Sequence, residues 1–289
     1  SENILKIIGF DFNYGRLDVS EHPTVLANSP QDVRLVTTFS KNNIFKGIYN
    51  TLHIGGKGLY EQNIDTNLLG TLLGEVSTFA LEDGEAKIYE SIIGKDKNFC
   101  KLLLEKIKEI FPDEYKDITS EDIYKKVNQI QPSLIRIDAD ELTSILHIII
   151  RYEIERDLIN NRIKVKDLPE IWKEKYREYL KIEPSGDSDG VLQDIHWAAG
   201  YFGYFPSYLL SGIYSGQIVA AMNRDLKNIT ERIDEENLKE IHKWLKENIH
   251  RHGAVYTPKE LIMNILNEGI NSTYYIEYLR KKYIELYKI

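Results

Sequence analysis

A mainly α-helical fold carrying a small antiparallel β-sheet near the N-terminus is what this chain of 289 residues predicts. Three observations point there. Apolar residues recur at helical spacing over most of the chain after about residue 40. Strand-like alternation is confined to the segment before it. No internal repeat, low-complexity tract or Pro/Ser-rich linker divides the sequence, so residues 1–289 read as one domain.

The elements follow in order. Ile8–Phe12 and Leu17–Val19 flank a turn at Asn13-Tyr14-Gly15 and read as a hairpin. Asp32–Phe39 alternates Val33, Leu35, Thr37 and Phe39 on one face, the pattern of a half-buried strand. Glu141–Asn160 is apolar on most faces in its first half and amphipathic in its second, a helix driven into the core; His147 within it reads as structural. Lys181–Gly190 (KIEPSGDSDG) has the composition of an irregular surface loop. A helix over Glu235–His250 ends in His250-Arg251-His252-Gly253, with cations in its last turn and Gly beyond it. His250 and His252 read there as a basic helix end, because residues two apart on a helix face different ways and make a poor metal pair. Thr257-Pro258-Lys259-Glu260 is a capping box that opens the next helix. Tyr274, Tyr275 and Tyr278 near the C-terminus read as packing residues.

Composition narrows the function. Lys and Arg number 37 against 45 Asp and Glu, a formal charge of −8, and basic residues alternate with acidic ones, which argues against a nucleic-acid partner. No apolar run approaches the roughly 20 residues that cross a bilayer, so no membrane association is expected. Cys100 stands alone and cannot form an intramolecular disulfide. The N-terminal SENILKIIGFDF lacks the basic-then-apolar pattern of an export signal. The expected setting is cytoplasmic.

Four segments carry chemistry: Thr51–Asn63 (TLHIGGKGLYEQN), Leu73–Glu90 (LGEVSTFALEDGEAKIYE), Ile135–Glu141 (IRIDADE) and Val191–Gln217 (VLQDIHWAAGYFGYFPSYLLSGIYSGQ). In that order they resemble the carboxypeptidase Taq family. The resemblance runs from Gly9-Phe10-Asp11-Phe12 and Gly15-Arg16-Leu17-Asp18 to the helix after Pro258, and IRIDADE and GYFPSY are close to family signatures. It implies a long-helix metallopeptidase-type fold with a cleft, and release of single residues from peptide C-termini with a bound divalent metal. The family's centre is a helical His-Glu-x-x-His. Two His at i and i+4 share one helix face and reach one metal, and the Glu takes a proton from metal-bound water. A second helix adds a carboxylate.

This chain departs from that pattern. The motif reads His53-Ile54-Gly55-Gly56-Lys57, so the first ligand is kept. Ile54, at the general-base position, cannot titrate, and the Lys57 ammonium has no lone pair to donate. The second motif reads Glu82-Asp83-Gly84-Glu85, which aligns Asp83 with the third ligand, one methylene short. Such a donor set should bind metal poorly, so no cofactor is expected. Lys57 is expected either to replace the metal's charge beside Asp83 and Glu82 or simply to reach solvent. Propensity alone favours a glycine-rich turn at HIGGKG, since Gly inside a helix costs about 1 kcal/mol relative to Ala. The resemblance instead makes Gly55 and Gly56 places where backbones approach closely at the cleft wall.

On the substrate side, Arg136 matches the family Arg associated with a peptide's terminal carboxylate, a task suited to a guanidinium fork. The alternative is a structural pair with Asp138 or Asp140. His196, Tyr204 and Tyr208 fall at positions that line the family's cleft, where such groups donate to an oxyanion. A His beside Trp197 is equally consistent with a hydrogen-bonded core residue. Nothing in the chain matches the helical region that family members usually carry ahead of Gly9. The leading expectation is an inactive or severely impaired peptide-binding pseudoenzyme. One alternative is an active zinc or other divalent-metal carboxypeptidase that uses His53 and Asp83 with Glu82 or Glu85. The other is a structural subunit completing a partner chain. The partners these readings imply are a peptide C-terminus, a second copy of the chain, or a chain supplying the N-terminal region.

Overall fold

A computed structural model describes residues 1–289. Its residues group into two compact units, one formed by residues 1–127 and 211–289 and the other by residues 128–210. The chain read as one domain from its sequence; the contacts between residues form two groups.

In the first unit, α1 (Glu2–Ile8) buries Ile4, Leu5 and Ile8 and is closed by Gly9, whose φ of 104° is open to glycine and strained for other residues. Three strands follow: β1 (Gly15–Val19), β2 (Thr24–Ser29) and β3 (Asp32–Thr37), in the spatial order β1-β3-β2. β1 lies parallel to β3 with Leu17 opposite Leu35, whereas β2 lies antiparallel to it with Leu26 opposite Arg34. The sheet is therefore mixed, not antiparallel. The expected hairpin does not form either. Ile4, Leu5 and Ile8 have helical spacing, so Ile8 ends a helix, and β1 takes a partner beyond β2. β3 alternates as its sequence implies, with Val33, Leu35 and Thr37 buried, but Phe39 lies past its end and is half exposed.

Next come α2 (Ile44–Gln62), capped by the Asn43 side chain, and α3 (Phe79–Lys87), capped by Thr78. α3 runs on into a π-helical turn over Ile88–Ile93. The HIGGKG segment is helical. A Cβ on Gly55 would meet Leu5 Cδ2 at 2.6 Å, and one on Gly56 would meet the Glu85 carbonyl oxygen at 2.8 Å and Ala86 Cα at 2.9 Å. Backbone proximity between α2 and α3, together with packing on α1, thus outweighs the propensity cost. α4 (Lys97–Ile110) and α5 (Ser120–Val127) pack through Cys100, Leu104, Ile123 and Tyr124.

The second unit holds α6 (Thr143–Ile159) and α7 (Leu168–Tyr179), whose core is Ile150, Ile154, Leu168, Trp172, Tyr176 and Leu180. His147 is fully buried, 3.0 Å from the Tyr176 hydroxyl; burial and the Arg151 charge push it down to about 4, so it stays neutral at pH 7. Residues 181–190 carry no regular structure, as their composition implies. α8 (Phe205–Asp225) begins in the second unit and ends in the first. The first unit is completed by α9 (Glu235–Asn248), α10 (Pro258–Leu266) and α11 (Thr273–Tyr287). Both arms of the capping box at Thr257 and Glu260 are made. No helix is long and apolar enough to cross a membrane.

Candidate functional site

From Thr51 to Tyr60 every residue of α2 is buried except His53 and Lys57. These two lie one turn apart on one face, the consequence of i, i+4 spacing. Facing them are side chains of α3 and its π-turn. His53 Nδ1 is 2.8 Å from Glu90 Oε2, and His53 Nε2 is 3.5 Å from Asp83 Oδ1. Lys57 Nζ is 3.5 Å from that same Asp83 oxygen and 3.8 Å from Glu82 Oε2, and it lies 4.7 Å from the centre of the Phe79 ring. The Ser211 hydroxyl donates to Asp83 Oδ2 at 2.8 Å. Lys57 does not reach out to solvent: its side chain is 14% exposed. Ile54 is buried at 1% exposure.

Electrostatics follow from this packing. Burial pushes Asp83 upward, but Lys87, His53, Lys57 and the Ser211 hydrogen bond outweigh it and hold the carboxyl below its usual range. Glu90 is driven up by burial and pulled down further by His53, Lys95 and Lys87, to about 2. Glu82 is raised by burial against the opposing pull of Lys57. Glu61, one turn beyond Lys57, is raised to about 7 by burial and by Glu82 and Glu75.

Two acidic residues of this region fall out differently from the sequence reading. Glu85 does not join His53. It is fully buried, with Oε2 3.0 Å from His250 Nε2, and His250 stacks on Tyr60 at 5.2 Å. His250 is accordingly an interior residue and no exposed helix end; its partner lies 165 positions away, beyond any local pattern. Glu90, at the end of the Leu73–Glu90 segment, meets His53 only because of the π-turn, which no local sequence pattern signals. Among all residues, no three His, Cys, Asp or Glu side chains are grouped to hold a metal ion.

The second unit brings the substrate-side candidates together. Arg136 sits in a single 3-10 turn, Arg136–Asp138. Its Nε donates to Asp194 Oδ1 at 2.9 Å, while Arg151 Nε donates to Asp194 Oδ2 at 2.6 Å. Gln193 Oε1 accepts from the Arg136 backbone N–H and from Arg151 Nη2. The structural partner of Arg136 is thus Asp194, not Asp138 or Asp140. Asp138 is exposed, and Asp140 accepts from the backbone N–H groups of Leu142 and Thr143 at the start of α6. Burial raises Asp194, but Arg151 and Arg136 prevail and keep it below the ordinary carboxylate range.

His196 Nε2 is 3.4 Å from the Tyr208 hydroxyl, and its ring lies 5.4 Å from Tyr204 and 4.5 Å from Phe205. Burial and the nearby Arg136 lower its pKa, which favours the neutral ring. The Arg136 guanidinium is 5.0 Å from the Tyr208 ring centre. Arg136, His196, Tyr204 and Tyr208 therefore form one cluster. Glu155, absent from the sequence reading, anchors the loop that carries His196: it accepts from Trp197 Nε1 at 2.7 Å and from the Gly203 backbone N–H.

Similarity to known proteins agrees with these motifs. A family model described as carboxypeptidase Taq (M32) metallopeptidase matches residues 1–283. Carboxypeptidase 1 of Bacillus subtilis is 41% identical over 283 residues, 98% of this chain and 56% of that protein. Thermostable carboxypeptidase 1 of Thermus thermophilus is 35% identical over 284 residues, 98% of this chain and 56% of its own length. The crystal structure of the M32 carboxypeptidase from Deinococcus radiodurans R1 superposes with a TM-score of 0.97 at 34% identity, covering 100% of this chain and 58% of that one. The chain spans little more than half the length of these relatives. It belongs to the carboxypeptidase Taq (M32) family.

Proposed function

We propose that this chain retains the family's recognition of a peptide C-terminus and has lost, or all but lost, metal-dependent hydrolysis. The observation that carries this reading is the Lys57 ammonium 3.5 Å from Asp83 Oδ1. A cation that cannot coordinate stands at the second-ligand position, against the carboxylate of the third. The donors left, one imidazole and carboxylates already engaged by Lys57, do not fit a tripodal metal centre. Ile54, buried and without a titratable group, cannot serve as a general base. Base and ligand act as a unit, so losing both leaves little residual chemistry.

Arg136 supports the binding half. Asp194 holds Nε and one terminal nitrogen, the aromatic rings of Tyr208 and Phe205 flank the guanidinium, and its remaining N–H groups suit a peptide carboxylate. His196 and Tyr208 offer donors to a neighbouring peptide carbonyl. The competing reading, an active enzyme using His53, Asp83 and Glu82, requires Lys57 to withdraw from both carboxylates. The test is release of C-terminal residues from N-blocked dipeptides with and without chelator. No metal-dependent release is expected. Chelator-sensitive turnover that disappears in Arg136→Ala, and so belongs to this protein, would overturn the reading.

A further inference from the structure

The cradle around Asp83 concentrates negative charge in a small, mostly buried space. Glu82, Asp83 and Glu90 leave one helix and its π-turn, and their side chains are 17%, 5% and 27% exposed. Carboxylates so placed repel one another and are costly to leave unbalanced. In this chain the balance comes from side chains. Lys57 Nζ and His53 Nε2 both lie 3.5 Å from Asp83 Oδ1. The other nitrogen of the imidazole, Nδ1, is held by Glu90 at 2.8 Å, which fixes the ring with Nε2 toward Asp83. Phe79 presents its ring to the ammonium and limits its access to water.

Resting on the functional reading above, we propose that Lys57 is a built-in cation whose ammonium supplies the charge a divalent metal would bring to this cradle and closes it to metal ions. Three features separate this from a surface ion pair. The ammonium contacts two successive carboxylates instead of one. Its side chain, 14% exposed, is held against α3 on the one partly open face of α2. The imidazole beside it is oriented by a carboxylate on its far nitrogen, a feature that a lysine salt bridge does not need.

The experiment has two arms, both on the whole chain and neither reading activity. The first is a thermal-unfolding double-mutant cycle of Lys57→Met and Asp83→Asn. Lys57→Met alone should lower Tm by roughly 5–10 °C, because it leaves buried carboxylates without their cation. In the Asp83→Asn background the same change should cost less than half as much. Equal losses in both backgrounds, or no loss in either, would overturn the proposal. The second arm uses Co(II) alone, read by its visible absorption and its effect on Tm. The unmodified chain should show neither a ligand-field band nor a Tm shift, whereas Lys57→His should show both, with affinity raised roughly 100-fold. A band in the unmodified chain at one equivalent, or none in a folded Lys57→His, would overturn it. If Lys57→Met does not fold, the cobalt titration of the unmodified chain still decides. Chelator-sensitive hydrolysis would defeat the functional reading; additive losses with no hydrolysis would defeat only this inference.

Discussion

Around Asp83, three carboxylates share Lys57, Lys87 and an imidazole; around Asp194, two guanidinium groups share one carboxylate. The first cluster lies between α2 and α3 with its π-turn in the first unit, and the second lies among residues 136–194 of the second unit. In the first, the Lys57 ammonium meets the charge of Asp83 and Glu82. In the second, Asp194 aligns two arginines and leaves part of the Arg136 fork free. The contrast teaches that a largely buried carboxylate cluster keeps its electrostatics balanced when a facing side chain carries charge of the right sign. A neutral residue at position 57 would not have done so.

The largest expected effect tests the second cluster. Asp194→Ala should destabilise the chain by about 3–5 kcal/mol, because it unpairs Arg151, which is fully buried, and Arg136 together. The sign with pH is fixed by the lowered Asp194 pKa: its contribution is present above the ordinary carboxylate range and is lost as pH falls through the folded value. Denaturant unfolding at pH 7 and at pH 3 should show the penalty shrinking. A cost below about 1 kcal/mol at pH 7 would mean that the pair is as weak as a surface bridge.

Next comes the frame of the first cluster. Gly56→Ala should cost about 2 kcal/mol, since its Cβ would meet backbone atoms of Glu85 and Ala86 that cannot rotate away. A stabilised Gly56→Ala variant would show that helix propensity prevails over close approach there. Arg136→Ala should then weaken binding of an N-blocked peptide with a free C-terminus by about 30-fold, roughly 2 kcal/mol. Fluorescence titration should show the same loss when the peptide is amidated, and no further loss when both changes are combined. Equal binding of acid and amide would remove Arg136 from the carboxylate.

The smallest effect concerns Glu61. Its raised pKa, about 7, means that the folded chain holds this proton more tightly than the unfolded one. Stability should therefore decline as pH rises from about 5 through 7, by at most about 2 kcal/mol. Glu61→Gln should flatten that decline, and an unchanged slope would place the titration elsewhere.

Much of this arrangement was legible in the residues. The i, i+4 spacing of His53 and Lys57 and the alignment of Asp83 left two places for the ammonium, beside that carboxylate or in solvent, and the fold takes the first; the capping box at Thr257 formed as read. The contacts that escaped are those set by distance along the chain or by unusual backbone. Asp194 lies 58 residues from Arg136, and nearer aspartates drew attention first. Glu85 and His250 are ordinary charged residues until folding buries both. The parallel partner of β1 follows β2 in the sequence and enters the sheet between the two, a choice that local turn chemistry cannot express. Helices α6 and α9 came out close to their expected bounds because periodicity is local; ladders and buried pairs are not.

Metal content tests most directly whether Lys57 has displaced metal chemistry from this fold. The chain is to be purified without chelator and assayed for zinc, cobalt and manganese by elemental mass spectrometry. The expected result is far less than one equivalent, unchanged after incubation with any of the three. About one equivalent per chain, removed by chelator and abolished in Asp83→Asn, would contradict it.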